Sequence, residues 1–225
     1  MNNLNNLQEV IGYIFKNEDL LKTCLTHRSS LNEPEVKESN ERLEFLGDAV
    51  LELIVTNFLF HQRPTDAEGL LTAARSAIVR TESLSKIAKS INLGDYLKMS
   101  RGEAASGGRE NTSILEDAFE SLTGAIYEDG GFEQAKTFVY KTLIPFAEEV
   151  LSRGELKDAK SKLQEKIQAK GLFSPVYQVI SQVGPDHSKI FTVSVLVDSK
   201  ELGQGSGKSK QEAEQAAAQK ALDLI

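Results

Sequence analysis

The chain has 225 residues, 40% hydrophobic and 26% charged, enough apolar material for a core but with no apolar run near the roughly 18 residues of a membrane span. The net charge of −7 divides unevenly: residues 1–150 hold 15 Lys and Arg against 24 Asp and Glu, net −9, and residues 151–225 hold 11 against 9, net +2. One cysteine, Cys24, and three scattered histidines, His27, His61 and His187, exclude an internal disulfide and a Cys/His metal cage, so any metal must be held mainly by carboxylates.

The start MNNLNNLQEV lacks the basic-then-apolar layout of a signal peptide, and the expectation is a soluble, cytoplasmic protein with no membrane partner. From Leu7 to about Glu149 apolar residues recur at three- and four-residue spacing, which predicts an all-α domain over residues 1–150. Breaks are expected at Glu33-Pro34, Arg63-Pro64, Asn92-Leu93-Gly94, Ser100 to Gly108 and Gly130-Gly131. The polar stretch 151–158 reads as a linker. Residues 159–225 then change period and predict a small α+β domain of order α-β-β-β-α. It has a helix over Ala159–Lys170, strands over Pro175–Val183, Lys189–Val197 and Lys200–Gln204, and a helix from Ser209 onward. In the middle strand Phe191, Val193, Val195 and Val197 alternate with residues facing the other way, the pattern of a strand with one buried face.

The segment Asn40 to Leu51 carries the chemistry. At about 100° per residue, Glu41, Glu44 and Asp48 fall within about 60° of one another, opposite Leu43, Leu46, Val50, Leu53 and Ile54. An acidic stripe is ordinarily a solvated face. Within this segment no Lys or Arg stands at the four-residue spacing that would relieve it, and Phe45 and Leu51 flank it with apolar surface. Gly47 weakens the helix, which makes sense where another backbone or a ligand comes close. In a second helix Asp117 and Glu120 lie one turn apart, opposite Leu115, Phe119, Leu122 and Ile126, with Gly124 on the acids' own side. Ser113 and Glu116 have the spacing of an S-x-x-E capping box, which gives Glu116 a structural task. Thr65 and Glu68 have the same spacing, so Glu68 is either a cap or a site acid. If the two helices pack acid face to acid face, four to five carboxylates converge, and a hard divalent cation relieves their repulsion. Magnesium, shared between carboxylates and a substrate phosphate, points to phosphoester hydrolysis by a metal-activated water.

NERLEFLGDAVLEL resembles the signature segment of the ribonuclease III family, and the upstream LTHRSS and downstream ILEDAFESLTGAIYEDGG fit as well. The resemblance implies a magnesium-dependent endoribonuclease that cuts double-stranded RNA as a homodimer, leaves 5′-phosphate and 3′-hydroxyl ends, and accepts Mn2+ as a substitute. Its expected work is on ribosomal, messenger and transfer RNA precursors. Carried over by position, the metal ligands would be Glu44, Asp48, Asp117 and Glu120. The catalytic set would be Asp48 and Glu120, with Glu41 and Glu68 at or near the cleavage site. Phe45 would lie at the dimer interface, its alternative being a core phenylalanine. His27 reads as a packed, hydrogen-bonded histidine.

The tail resembles a double-stranded-RNA-binding domain, a module that reads A-form shape across successive minor grooves. Ser161, Gln164 and Glu165 suit its first helix, and His187 the tip of its first hairpin. Lys208, Ser209 and Lys210, after Gly205-Ser206-Gly207, open the last helix as a phosphate site built on free N–H groups. A nucleotide-binding P-loop fails there, because it needs glycine where Leu202 stands, so no nucleotide cofactor is expected. Gln211 and Glu214 stand where many such domains carry lysine, which predicts moderate affinity. The alternative to the nuclease is a non-catalytic double-stranded-RNA-binding regulator.

Overall fold

The computed structural model describes residues 3–152, 159–185 and 189–225, and the chain divides into two compact units, Met1–Arg153 and Gly154–Ile225. The first unit is all-α: α1 (Leu4–Ile11), α2 (Glu18–Cys24), α3 (Glu41–Gln62), α4 (Glu68–Val79), α5 (Thr81–Ser90), α6 (Arg101–Ala105), α7 (Thr112–Gly130), α8 (Phe132–Thr142) and α9 (Ile144–Ser152). Short 3-10 turns occur at Arg28–Asn32, Leu93–Tyr96 and Gly108–Glu110. The expected break over Ser100 to Gly108 therefore holds one short helix, α6, begun by Ser100, whose hydroxyl accepts the Glu103 N–H. No helix among the described residues is long and apolar enough to cross a membrane.

The two long helices α3 and α7 form the centre. Ile54, Val55 and Leu59 of α3 bury themselves against the unit's core with Leu115, Ala118, Phe119, Leu122 and Ile126 of α7. The crossing is close because both helices present glycine at the contact. A Cβ on Gly47 would stand 1.8 Å from the Glu120 carbonyl oxygen, and one on Gly124 would stand 2.2 Å from that of Leu43. On α7 the polar Ser121 and Thr123 are buried and bonded to backbone carbonyls. Ser121 donates its hydroxyl to the Cys24 carbonyl at 2.7 Å, which ties α2 to the central helix. Leu53, expected on the buried side of α3, is exposed, whereas Leu51, expected beside the acids, is fully buried. The 22-residue helix packs against neighbours along its length, so its apolar stripe is broader than one heptad face and shifts around the axis.

Caps differ from the expected boxes in this unit. Asn111, not Ser113, starts α7, its side chain accepting the N–H groups of Ser113 and Ile114 at 3.0 and 3.3 Å. Asparagine competes well for the cap position, and this one places Ser113 inside the first turn. α4 begins at Glu68 itself, without a side-chain cap, so Thr65 and Glu68 form no box.

The second unit follows the expected order: α10 (Ala159–Ala169), β1 (Val176–Val183), β2 (Ile190–Val197), β3 (Lys200–Gly207) and α11 (Lys210–Leu224). The sheet is antiparallel in the order β1-β2-β3, with Val179 opposite Val193, and Val193 opposite Gly205. Asp198 and Ser199 both take positive φ, 49° and 64°, as a two-residue hairpin turn between β2 and β3 requires. β3 runs through Gly207, three residues beyond the expected end at Gln204. Gly203, Gly205 and Gly207 lie directly under α11, where a Cβ on Gly205 would stand 2.1 Å from the Ala217 nitrogen. Ala213, Ala217 and Ala221 complete this close helix-on-sheet contact, and Leu163, Ile167, Val193, Val195 and Val197 fill the rest of the core.

Candidate active site

The glycine crossing brings the first turns of α3 over the first half of α7. Glu44 of α3 and Glu116, Asp117 and Glu120 of α7 are half-buried there, while Glu41 and Asp48 are exposed. These acids act on one another. Burial pushes the Glu120 carboxyl from 4.5 up to about 8, helped by the negative charges of Asp48, Glu116, Glu44 and Asp117. Burial likewise lifts Glu44 to about 6, with Asp117, Glu41 and Glu116 adding to it and Arg28 opposing. Asp117 is raised by burial, against which His27 and Arg28 pull it down. Glu116 is raised by burial too, while a hydrogen bond from the Thr81 hydroxyl at 3.1 Å steadies its charged form.

Of the six acids expected at the site, the structure gathers Glu41, Glu44, Asp48, Asp117 and Glu120 into one field of influence. Glu68 stands apart: it is exposed at the first residue of α4, accepts the Thr72 hydroxyl at 2.9 Å, and is not among the charges acting most strongly on the others. Glu116 is the acid that sequence reasoning set aside. Its four-residue spacing to Glu120 was a visible signal, masked by the S-x-x-E pattern that Asn111 overrides. Arg28 and Thr81 were also missed, since they reach the site from outside the two acidic helices.

All the candidate ligands are hard carboxylate oxygens, three of them half-buried, and their like charge is only partly offset by Arg28 and His27. That donor set fits Mg2+ or Mn2+, which keep several waters of their own. Among the described residues no three His, Cys, Asp or Glu side chains converge tightly enough to enclose an ion unaided.

His27 is buried, its Nδ1 2.9 Å from the Ser29 hydroxyl and its backbone N–H donated to the Lys98 carbonyl at 2.8 Å. Phe45 is 82% exposed, so it is no core residue. Leu53 and Phe60, 57% and 65% exposed, continue an apolar stripe from it along α3.

In the second unit Gln164 and Glu165 are exposed on α10, while Leu163 and Ile167 face inward. His187 and the Ser161 side chain lie outside the described residues. Lys208 and Lys210 are exposed, and two of the N–H groups expected to be free there, those of Lys208 and Glu212, are already bonded. Ser209 caps α11 by accepting the Glu212 N–H at 3.1 Å, and the Glu212 carboxylate accepts the Lys208 N–H at 2.7 Å. A carboxylate thus already sits at the positive end of the helix. Glu214 has a partner as well, Lys160 across α10, and Lys160 also lies 4.7 Å from the centre of the Tyr177 ring.

The family profile described as Ribonuclease-III-like matches residues 17–146, and the one described as Double-stranded RNA binding motif matches residues 159–225. A Ribonuclease 3 of Borreliella burgdorferi is 46% identical over 99% of this chain and 91% of its own. One from Campylobacter jejuni is 44% identical over 100% and 99%. Among solved structures, the nuclease domain of ribonuclease III from Campylobacter jejuni is 46% identical over 66% of this chain and 96% of its own, with a TM-score of 0.59.

Proposed function

The chain belongs to the ribonuclease III family, and on that premise we propose that it is a magnesium-dependent endoribonuclease that cleaves double-stranded RNA as a homodimer. The observation that carries the proposal is the half-buried carboxylate cluster where α3 crosses α7, in a chain aligned end to end with family relatives. Glu44, Asp48, Asp117 and Glu120 would hold the cation. When bound, magnesium supplies an activated water and neutralises charge on the scissile phosphate, with manganese as a substitute. The protein's own contribution is to hold these oxygens together against their repulsion. Glu120 keeps a proton at neutral pH in the unloaded site and releases it when positive charge arrives. Glu41, exposed and steadied by the Ser39 hydroxyl at 2.8 Å, stands at the mouth as an auxiliary group. Glu68, at the start of α4, belongs to the same proposal as an acid in or near the cleavage site and not as a ligand of the metal.

The homodimer would use the exposed stripe headed by Phe45, whose apolar surface calls for burial. The second unit would grip the duplex by shape, through Ser161, Gln164 and Glu165 on α10, His187 at the hairpin, and Lys208, Ser209 and Lys210 at α11. Structured precursors of ribosomal, messenger and transfer RNA are the proposed substrates, in the cytoplasm. Incubation of a long end-labelled duplex with magnesium, calcium or EDTA tests the proposal. Short duplexes with 5′-phosphate and 3′-hydroxyl ends are expected with magnesium alone. Binding in every condition without cutting would make the protein a non-catalytic regulator.

A further inference from the structure

A site built from clustered carboxylates repels the RNA phosphates it must admit, so a positive side chain at its mouth has a task there. We propose that Arg28 is a substrate-binding arginine at the mouth of the acid site, which exchanges Glu41 for a phosphate of the duplex. The inference rests on the nuclease reading above. Arg28 opens the 3-10 turn Arg28–Asn32, and that turn is braced from several sides. His27 caps it and donates its N–H to the Lys98 carbonyl, Ser30 donates to the His27 carbonyl at 3.0 Å, and the Ser29 hydroxyl accepts the Ser100 N–H at 3.0 Å. The backbone under the arginine is therefore fixed while its head stays in water.

The guanidinium lies 3.9 Å from a Glu41 oxygen, with the two side chains 71% and 52% exposed. At that length and exposure the contact is a single-point pairing and not a bidentate fork, so it contributes little and is easily exchanged. Phosphate offers the better match to the planar fork. After the exchange Glu41 keeps its hydrogen bond from Ser39. Arg28 also counters the negative field at both Glu44 and Asp117, so its charge is felt by the cluster as well as by Glu41. Lys98, which braces this turn, is engaged elsewhere, pairing with Glu33 at 3.1 Å and Glu35 at 3.8 Å.

The test is the salt dependence of duplex binding in calcium, measured on the non-cutting Glu120→Gln protein with and without Arg28→Ala, Arg28→Gln or Arg28→Lys. Loss of one phosphate contact should make the log–log slope shallower by about one unit in Arg28→Ala and Arg28→Gln and leave it intact in Arg28→Lys. On the otherwise unaltered enzyme, Arg28→Ala should raise KM about tenfold with a smaller change in kcat, and Arg28→Lys should restore only part of it, because the fork is lost. A purely structural arginine would lower the melting temperature and leave the slope unchanged. Equal slopes for Arg28→Ala and its parent overturn the proposal. If the unaltered chain cuts no duplex in magnesium, the nuclease reading falls on that result alone, and the slopes still decide Arg28.

Discussion

The two candidate surfaces treat charge in opposite ways. Where α3 crosses α7, carboxylates of like sign are packed together and partly buried, and Glu120 and Glu44 are forced to hold protons well above the usual carboxyl range. In the second unit several charges near the proposed duplex face are settled within the chain. Lys160 meets Glu214, Glu212 caps α11, and hydrogen bonds from Ser194 and Gln204 hold Glu201 below the usual range. Like charge held together at a partly buried site is the arrangement from which the cation of the proposed function is argued, whereas in the second unit these acids already have partners inside the chain.

The largest effect in breaking this contrast should come from the crossing itself. Gly47→Ala puts a methyl into the Glu120 backbone, and we expect a loss of about 3 kcal/mol or more in urea unfolding, together with loss of cleavage. A pH series sharpens the electrostatic half. Because the folded-state value of Glu120 is raised, the folded protein binds that proton more tightly than the unfolded chain. Its contribution to stability is thus full below about 4.5 and is lost as pH rises towards about 8. Melting temperature in EDTA should fall across that window, and magnesium or Glu120→Gln should flatten the fall.

Smaller effects separate the roles of single acids. Glu212→Gln removes the carboxylate from the start of α11. It should tighten duplex binding several-fold by titration while costing about 0.5–1 kcal/mol of stability in the second unit. Glu116→Gln leaves the proposed ligands in place and lowers the negative field on Glu120, so the magnesium concentration for half-maximal cleavage should rise by about two- to threefold.

Much of this was legible beforehand because helical and strand periods differ, and because the angular placement of Glu41, Glu44, Asp48, Asp117 and Glu120 follows from spacing alone. The element order of the second unit followed from the alternation at Phe191 to Val197 in the same way. What escaped depends on pairs of elements. Whether Ser113 or Asn111 caps α7 is a competition between two good caps, and its outcome decides the setting of Glu116. A glycine-rich stretch reads as a loop until α11 lies against it, and only then does β3 extend to Gly207. Arg28 reaches Glu41 through a turn braced by Lys98 and Ser100, contacts that no local spacing encodes.

The most direct test of the central claim sets Glu120→Gln beside the unaltered chain on one labelled RNA duplex, with binding measured in calcium and cutting in magnesium. The account predicts equal binding within about threefold and a cleavage rate lower by at least about a thousandfold in the variant, as expected when an essential metal-site oxygen is lost. Undiminished cutting by Glu120→Gln would contradict it.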